Sequence, residues 1–293
     1  MRHYLASILA AAAFLLTGPA LADPEAPTVS DAASAETGPF FMFAASKFAE
    51  TGERQRIEAV LSAHLTARDF VSLGLTKAFP ALGARIPREN VFVLPPNLTQ
   101  VAATIRKGTG DGTPGLLIYD GEHWEATPGD EQGDLPGAVL RGKALTRKSA
   151  GHRFGFAPDG IFVGVRPARC GFDLNEAVHR RVDWSDIALF NIQAQHLLSD
   201  GCDASGGFAS FVDFVVAVAG DAKAAAPHLL VTAQLSFRDT PPDRMVRAIR
   251  RLRGIVDGFY VAYPSNVGPV CRYCSPENLG TVLNAIRGAP AAE

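Results

Sequence analysis

Two carboxylates separated by one glycine, Asp120-Gly121-Glu122, close an apolar run that begins at Gly115. In an extended chain, residues two apart point to the same side, so Ile118, Asp120 and Glu122 share a face if the strand persists that far. Two carboxyl groups held close repel each other as anions. Partial burial adds to this, raising one pKa and leaving that group protonated. A protonated carboxylic acid beside a leaving oxygen is what glycoside cleavage requires. Tyr119, Trp124, Tyr260 and Tyr263 offer aromatic faces for sugar rings. The same residues also fit a plain strand-ending turn, with Asp-Gly as the turn pair and Asp120 capping a loop.

Further polar residues stand where other apolar runs stop. Asn191, Gln193 and Gln195 share one face of their run, and Thr232, Gln234 and Ser236 share one face of theirs. Buried amides are unfavourable unless hydrogen-bonded. A hydroxyl-rich ligand would supply the partners, and so would a polar network closing the end of a barrel. Both readings stay open. The substrate-binding candidates are Trp124, Asp159, Gln193, Gln195, Gln234, Arg238 and Tyr263. His123, His152 and His196 with Asp120, Glu122 and Asp159 could ligate zinc or a harder ion. No His-x-His or His-x-x-x-His pair supports that, so no metal or cofactor is expected. Ser46-Lys47 lacks a nucleophile motif, with no Gly-x-Ser-x-Gly in the chain. Asn97-Leu98-Thr99 matches a glycosylation triplet, which recurs by chance.

These residues need a scaffold, and the chain supplies a regular one. Short apolar runs alternate with helical stretches from residue 40 onward, the signature of βα units and a parallel sheet. The runs begin at Phe40, Phe70, Val91, Gly115, His152, Ile187, His228 and Val256. The second is expected to reach Leu75. A helix is expected over Leu174 to Val182 behind the fifth run, and a very apolar one over Phe208 to Ala219. Thr240-Pro241-Pro242-Asp243 and Ser275-Pro276-Glu277 each read as a helix start, a capping hydroxyl followed by proline. Eight strand–helix units predict a single (β/α)8 TIM barrel over 39–290, with its site at the C-terminal strand ends. An open doubly wound sheet is the alternative. It would expect a glycine-rich turn after the first strand, and Ala45-Ser46-Lys47 is not one.

A barrel with Asp-x-Glu ending its fourth strand resembles the glycoside hydrolases of the chitinase and glycosyl-hydrolase lysozyme type. In those the Glu is the general acid, and the Asp two residues earlier orients an acetamido group or tunes the acid. The resemblance implies Glu122 as acid and Asp120 as its helper. It departs at Ile118, where the longer motif is acidic, and at Tyr263-Pro264-Ser265-Asn266, where a tryptophan often stands. The expected function is a secreted carbohydrate-active barrel, a glycosidase on a polysaccharide or cell-wall glycan. A non-catalytic glycan-binding barrel and a metal-dependent hydrolase are the alternatives.

The remaining features concern the compartment and partners. Arg2 and His3, an apolar run from Leu5 to Leu16, Gly18-Pro19 and Ala20-Leu21-Ala22 read as a signal peptide over 1–22. The run is short for a membrane span, which needs roughly 20 apolar residues. Residues 23–38 read as a flexible leader. Export suits four cysteines, and the expected disulfides are Cys170–Cys202 and Cys271–Cys274. Cys-Arg-Tyr-Cys could also be a redox pair or half a zinc site. The balance of 28 Lys plus Arg against 30 Asp plus Glu argues against nucleic acid as the main partner. The arginines at 244, 247, 250, 251 and 253 are expected on a solvated helix face. The expected location is outside the cytoplasm, with a glycan as partner and no stable membrane insertion.

Overall fold

Strand residues alternate in direction, and here both directions are apolar, which is the pattern of a strand buried on both faces. The computed structural model describes residues 38–45, 51–110, 112–263 and 271–288. Within them eight parallel strands close into a barrel. They are β1 (Phe40–Ala45), β2 (Phe70–Ser72), β3 (Val91–Val93), β4 (Leu116–Tyr119), β5 (Arg153–Phe156), β6 (Ile187–Ile192), β7 (Leu230–Ser236) and β8 (Gly258–Tyr263). The seam runs in register from Phe40 opposite Gly258 to Ala45 opposite Tyr263. The expected TIM barrel is therefore the fold. The expected signal peptide and most of the leader, Ser46-Lys47 and Pro264-Ser265-Asn266 lie outside the described residues.

One parity fills the barrel interior. Phe40, Met42, Phe70, Phe92, Leu116, Ile118, Leu189 and Tyr260 pack there as one cluster. The other parity, including Phe41, Phe43, Tyr119, Phe156, Phe190, Val231 and Tyr263, packs under the helices. Burying each such side chain contributes roughly 1.5–3 kcal/mol. The helices are α1 (Thr51–His64), α2 (Leu73–Ala78), α3 (Pro80–Gly83), α4 (Leu98–Arg106), α5 (Gly129–Gly133), α6 (Leu135–Arg147), α7 (Gly207–Ala225), α8 (Pro242–Leu252) and α9 (Pro276–Arg287). Ser275 caps α9 as expected, its hydroxyl accepting from the Asn278 N–H at 3.0 Å. Asn97 caps α4 and also donates to the Ala126 carbonyl at 2.9 Å, so its amide is engaged at both ends.

Several expectations are corrected. β2 stops at Ser72 rather than Leu75, because the Ser72 hydroxyl turns to cap α2. No α-helix covers 174–182. A 3-10 turn (Val178–Arg181) stands there instead, after a hairpin of Val165–Arg166 with Gly171–Phe172. α8 starts at Pro242, one residue later than expected: Pro241 rather than Thr240 stands at the cap, and no side chain caps the helix. Arg244 is not on a solvated face. It is 6 % exposed, donates to the Leu198 and Ser199 carbonyls at 2.8 and 2.9 Å, and pairs with Asp203 at 3.0 Å. Arg253 likewise reaches the last carbonyls of α9, Ala285 and Ile286.

Both disulfides form as expected. Cys170–Cys202 ties the loop after β5 to the loop after β6. Cys271–Cys274 closes a turn after β8, whose Arg272 and Tyr273 N–H groups bond Arg238 and Phe237 carbonyls beyond β7. No described helix is long and apolar enough to cross a membrane.

Candidate active site

β4 carries its inward parity past its last paired residue. Leu116 and Ile118 face the interior, and Asp120 follows them at the C-terminal mouth, its N–H donating to the Pro95 carbonyl at 3.0 Å. Opposite, β6 sends Leu189, Asn191 and then Gln193 inward. The Gln193 amide donates to Asp120 Oδ1 at 2.8 Å and to the Ala157 carbonyl at 3.0 Å. One amide thus links the ends of β4, β5 and β6. Close approach there demands a glycine: a Cβ on Gly160 would fall 2.3 Å from the Gln193 carbonyl oxygen. That fit presses the loop bearing Asp159 against β6.

Glu122 and Asp159 complete the group. The Glu122 N–H donates to Thr127 Oγ1 at 3.2 Å, and that hydroxyl donates to the Pro96 carbonyl at 2.8 Å. Asp159 accepts from the Ile161 N–H at 3.0 Å and, more weakly, the His123 N–H at 3.4 Å. Burial pushes the Asp120 carboxyl well above its ordinary range, and the Glu122 charge pushes it further, against the opposing hydrogen bond from Gln193. Burial also raises Glu122, with the Asp159 charge as the second cause. No lysine, arginine or histidine forms an ion pair with any of these three carboxylates among the described residues. The arrangement can therefore hold a carboxylic acid protonated beside an ionised one, the condition for proton donation near neutral pH.

A second polar chain runs along the barrel floor. The Thr232 hydroxyl donates to Asn191 Oδ1 at 3.0 Å, and Asn191 Nδ2 donates to Gln234 Oε1 at 2.7 Å. Above it lies a cavity of about 640 Å³ bounded by Phe92, Leu94, Gln195, Gln234, Ser236, Arg238, Tyr260 and Tyr263, among others. Tyr260 belongs to both regions. It lines the cavity, and its ionisation is suppressed first by burial and then by the Asp120 and Glu122 charges.

Asp120, Glu122, Asp159 and Gln193 thus come together, while Gln195, Gln234 and Arg238 line the adjoining cavity. Trp124 stands at the rim, 49 % exposed. Tyr263 is the exception to the expected convergence: its ring lies in the layer between barrel and helices, against Phe43 and Phe237, with its hydroxyl on Glu53 at 3.1 Å. Its parity on β8 is outward, so it meets the cavity only at an edge. Among the described residues no group of three His, Cys, Asp or Glu side chains is placed to hold a metal ion. Sequence reasoning gave no role to Glu131, which is 5 % exposed. It accepts from the Tyr119 hydroxyl at 2.9 Å and the Leu98 N–H at 3.2 Å, anchoring the loop that carries Glu122. Its position on a short polar helix hid it.

No family model and no curated protein matches the chain. Among solved structures, a cube-shaped, highly porous designed cage built from fused symmetric oligomeric domains is similar. Its TM-score is 0.41 at 13% identity, covering 85% of this chain and 72% of that one. The α-L-fucosidase of Lactobacillus casei with its α-L-fucose product is similar at a TM-score of 0.27 and 10% identity, covering 88% and 98%. These global likenesses carry no argument about activity.

Proposed function

We propose that this mouth is the active site of a glycoside hydrolase acting on a polysaccharide or cell-wall glycan. The observation that carries the reading is the group of mutually repelling, partly buried carboxylates bridged by Gln193 at the C-terminal strand ends. Glu122 is assigned as general acid, because its pKa is raised and no hydrogen-bonding amide fixes it as firmly as Gln193 fixes Asp120. Donation leaves Glu122 anionic beside Asp120 and Asp159. Asp120, itself raised, limits the charge that builds up, and the Gln193 amide favours the ionised form of the pair. Asp159 steadies positive charge developing on the sugar ring, while Trp124 offers a stacking face at the rim.

Turnover should follow a bell in pH. The limb at higher pH is loss of the donated proton. The limb at lower pH is protonation of the second carboxyl, and the two apparent values belong to the coupled pair. The test is Glu122→Gln, assayed on a glycan found by a hydrolysis screen of the mature protein and on an aryl glycoside of the same sugar. A loss of about 100-fold or more is expected on the glycan. The aryl glycoside, whose leaving group departs without a proton, should be largely spared. Equal loss on both overturns the acid role. No loss on either, with glycan binding retained, favours a non-catalytic glycan-binding barrel.

A further inference from the structure

The cavity beside the carboxylates is not explained by packing. Its volume of about 640 Å³ falls in the range of small-ligand pockets, roughly 300–1,000 Å³. The residues on its wall carry three distinct hydrogen-bonding capacities. Gln195 lies on the wall, and its buried Oε1 has no partner among the described residues, an acceptor without a donor. Gln234 has committed its Oε1 to Asn191 and keeps its NH2 group as a donor. The Tyr260 hydroxyl bonds no group among the described residues, though the residue is only 5 % exposed. A sugar hydroxyl both donates and accepts, so it can satisfy all three, which neither an apolar ligand nor an acceptor-only anion does. Phe92 and the Tyr260 ring add the apolar faces a pyranose needs.

Charge narrows the class. In the described lining, Arg238 stands beside Asp239 at 3.9 Å, which partly offsets its charge, and the exposed His196 is the other basic side chain. Beyond Tyr260 lie Asp120 and Glu122, which no cation pairs with among the described residues. A ligand carboxylate would therefore meet a negative field and no unpaired guanidinium. We infer that this cavity is a binding subsite for a neutral sugar unit, discriminating against uronic acids, with Tyr260, Gln195 and Gln234 as its hydroxyl-binding groups. The inference rests on the hydrolase reading for its place in the reaction, but binding itself is read without turnover.

The experiment measures binding of free D-glucose, D-galactose, L-fucose and N-acetyl-D-glucosamine against D-glucuronate and D-galacturonate. Saturation-transfer NMR and calorimetry on the wild-type mature protein would be run at up to about 10 mM sugar, the weak end of measurable affinity. At least one neutral sugar should bind, more tightly than either uronate. Gln195→Leu removes an acceptor that no described protein group uses, so the fold should tolerate it, and affinity for that sugar should drop about tenfold. Tyr260→Phe should weaken binding similarly, with an unchanged melting temperature confirming an intact barrel. Binding should survive Glu122→Gln. A uronate bound more tightly than every neutral sugar overturns the inference. So does the absence of neutral-sugar binding, or binding indifferent to both Gln195→Leu and Tyr260→Phe. If Glu122→Gln leaves hydrolysis untouched while binding behaves as expected, the acid assignment fails and the subsite stands.

Discussion

The two ends of the same barrel treat buried carboxylates in opposite ways. At the N-terminal end Asp69 is fully buried, and both of its carboxylate oxygens are engaged. It accepts from the Phe41 N–H at 2.9 Å, from the Thr66 N–H and hydroxyl at 2.7 and 2.8 Å, and from Arg287. Asp257, half-buried on the other side of the seam, accepts through one oxygen from the Val231 N–H and Lys223. At the C-terminal end Asp120 has one amide partner and a like charge for a neighbour. The first arrangement locks strands and helices together. The second leaves ionisation unfavourable, which only a bound ligand or a proton relieves. Covalent staples, Cys170–Cys202 and Cys271–Cys274, sit among the loops of that second end.

The largest effect should come from breaking the compensated end. Asp69→Ala strands a buried N–H and the Arg287 guanidinium, and should destabilise by about 3–5 kcal/mol in denaturant unfolding. Replacing Cys170 and Cys202 together by serine should follow. Their separation of 32 residues gives a chain-entropy loss of roughly 3–4 kcal/mol, against about 2 for the three-residue separation of Cys271 and Cys274. Equal losses for the two pairs would mean that the staples do not act through the unfolded chain. Glu122→Gln comes next in energy, with its loss of about 100-fold in rate and little change in stability.

The smallest effect has the opposite sign. A carboxyl whose folded pKa is raised binds its proton more tightly in the native state than in the unfolded one. Stability therefore falls as pH climbs from the unfolded value through the folded one, and stays low above it. Asp120→Asn keeps the hydrogen bond with Gln193 and removes that penalty. It should stabilise at pH 7–8 by on the order of 1 kcal/mol and confer no advantage near pH 4, read by thermal melts across that interval. Destabilisation at every pH would mean that the mouth is compensated after all, and the contrast between the ends would collapse.

Sequence periodicity was enough for the barrel, since eight apolar runs flanked by helical spacing leave few other closures. It failed where local chemistry overrode the pattern. Ser72 diverts β2 into a capped helix. The stretch from Leu174 has too few apolar residues at helical spacing to hold a helix against the barrel, and it settles as a 3-10 turn. Asp120, Gln193 and Gln234 were legible because polar groups ending apolar strands stand out. Tyr260 and Tyr263 were not distinguishable, because β8 is apolar on both faces and alternation gives no sign of which side is inward. Arg244 read as solvated because its acceptors, the Leu198 and Ser199 carbonyls, come from a loop more than forty residues upstream.

The Asp69–Arg287 contact also bears on the order of assembly. Arg287 lies 218 positions after Asp69, and it bonds the Pro39 and His64 carbonyls as well. β1 cannot complete its ladder until β8, near the end of the chain, has been made. Closure thus depends on the most distant contacts, the slowest class to form. A chain truncated before β8 should remain open and protease-sensitive, however well its early βα units form. Its seam would expose an unpaired strand edge until β8 arrives.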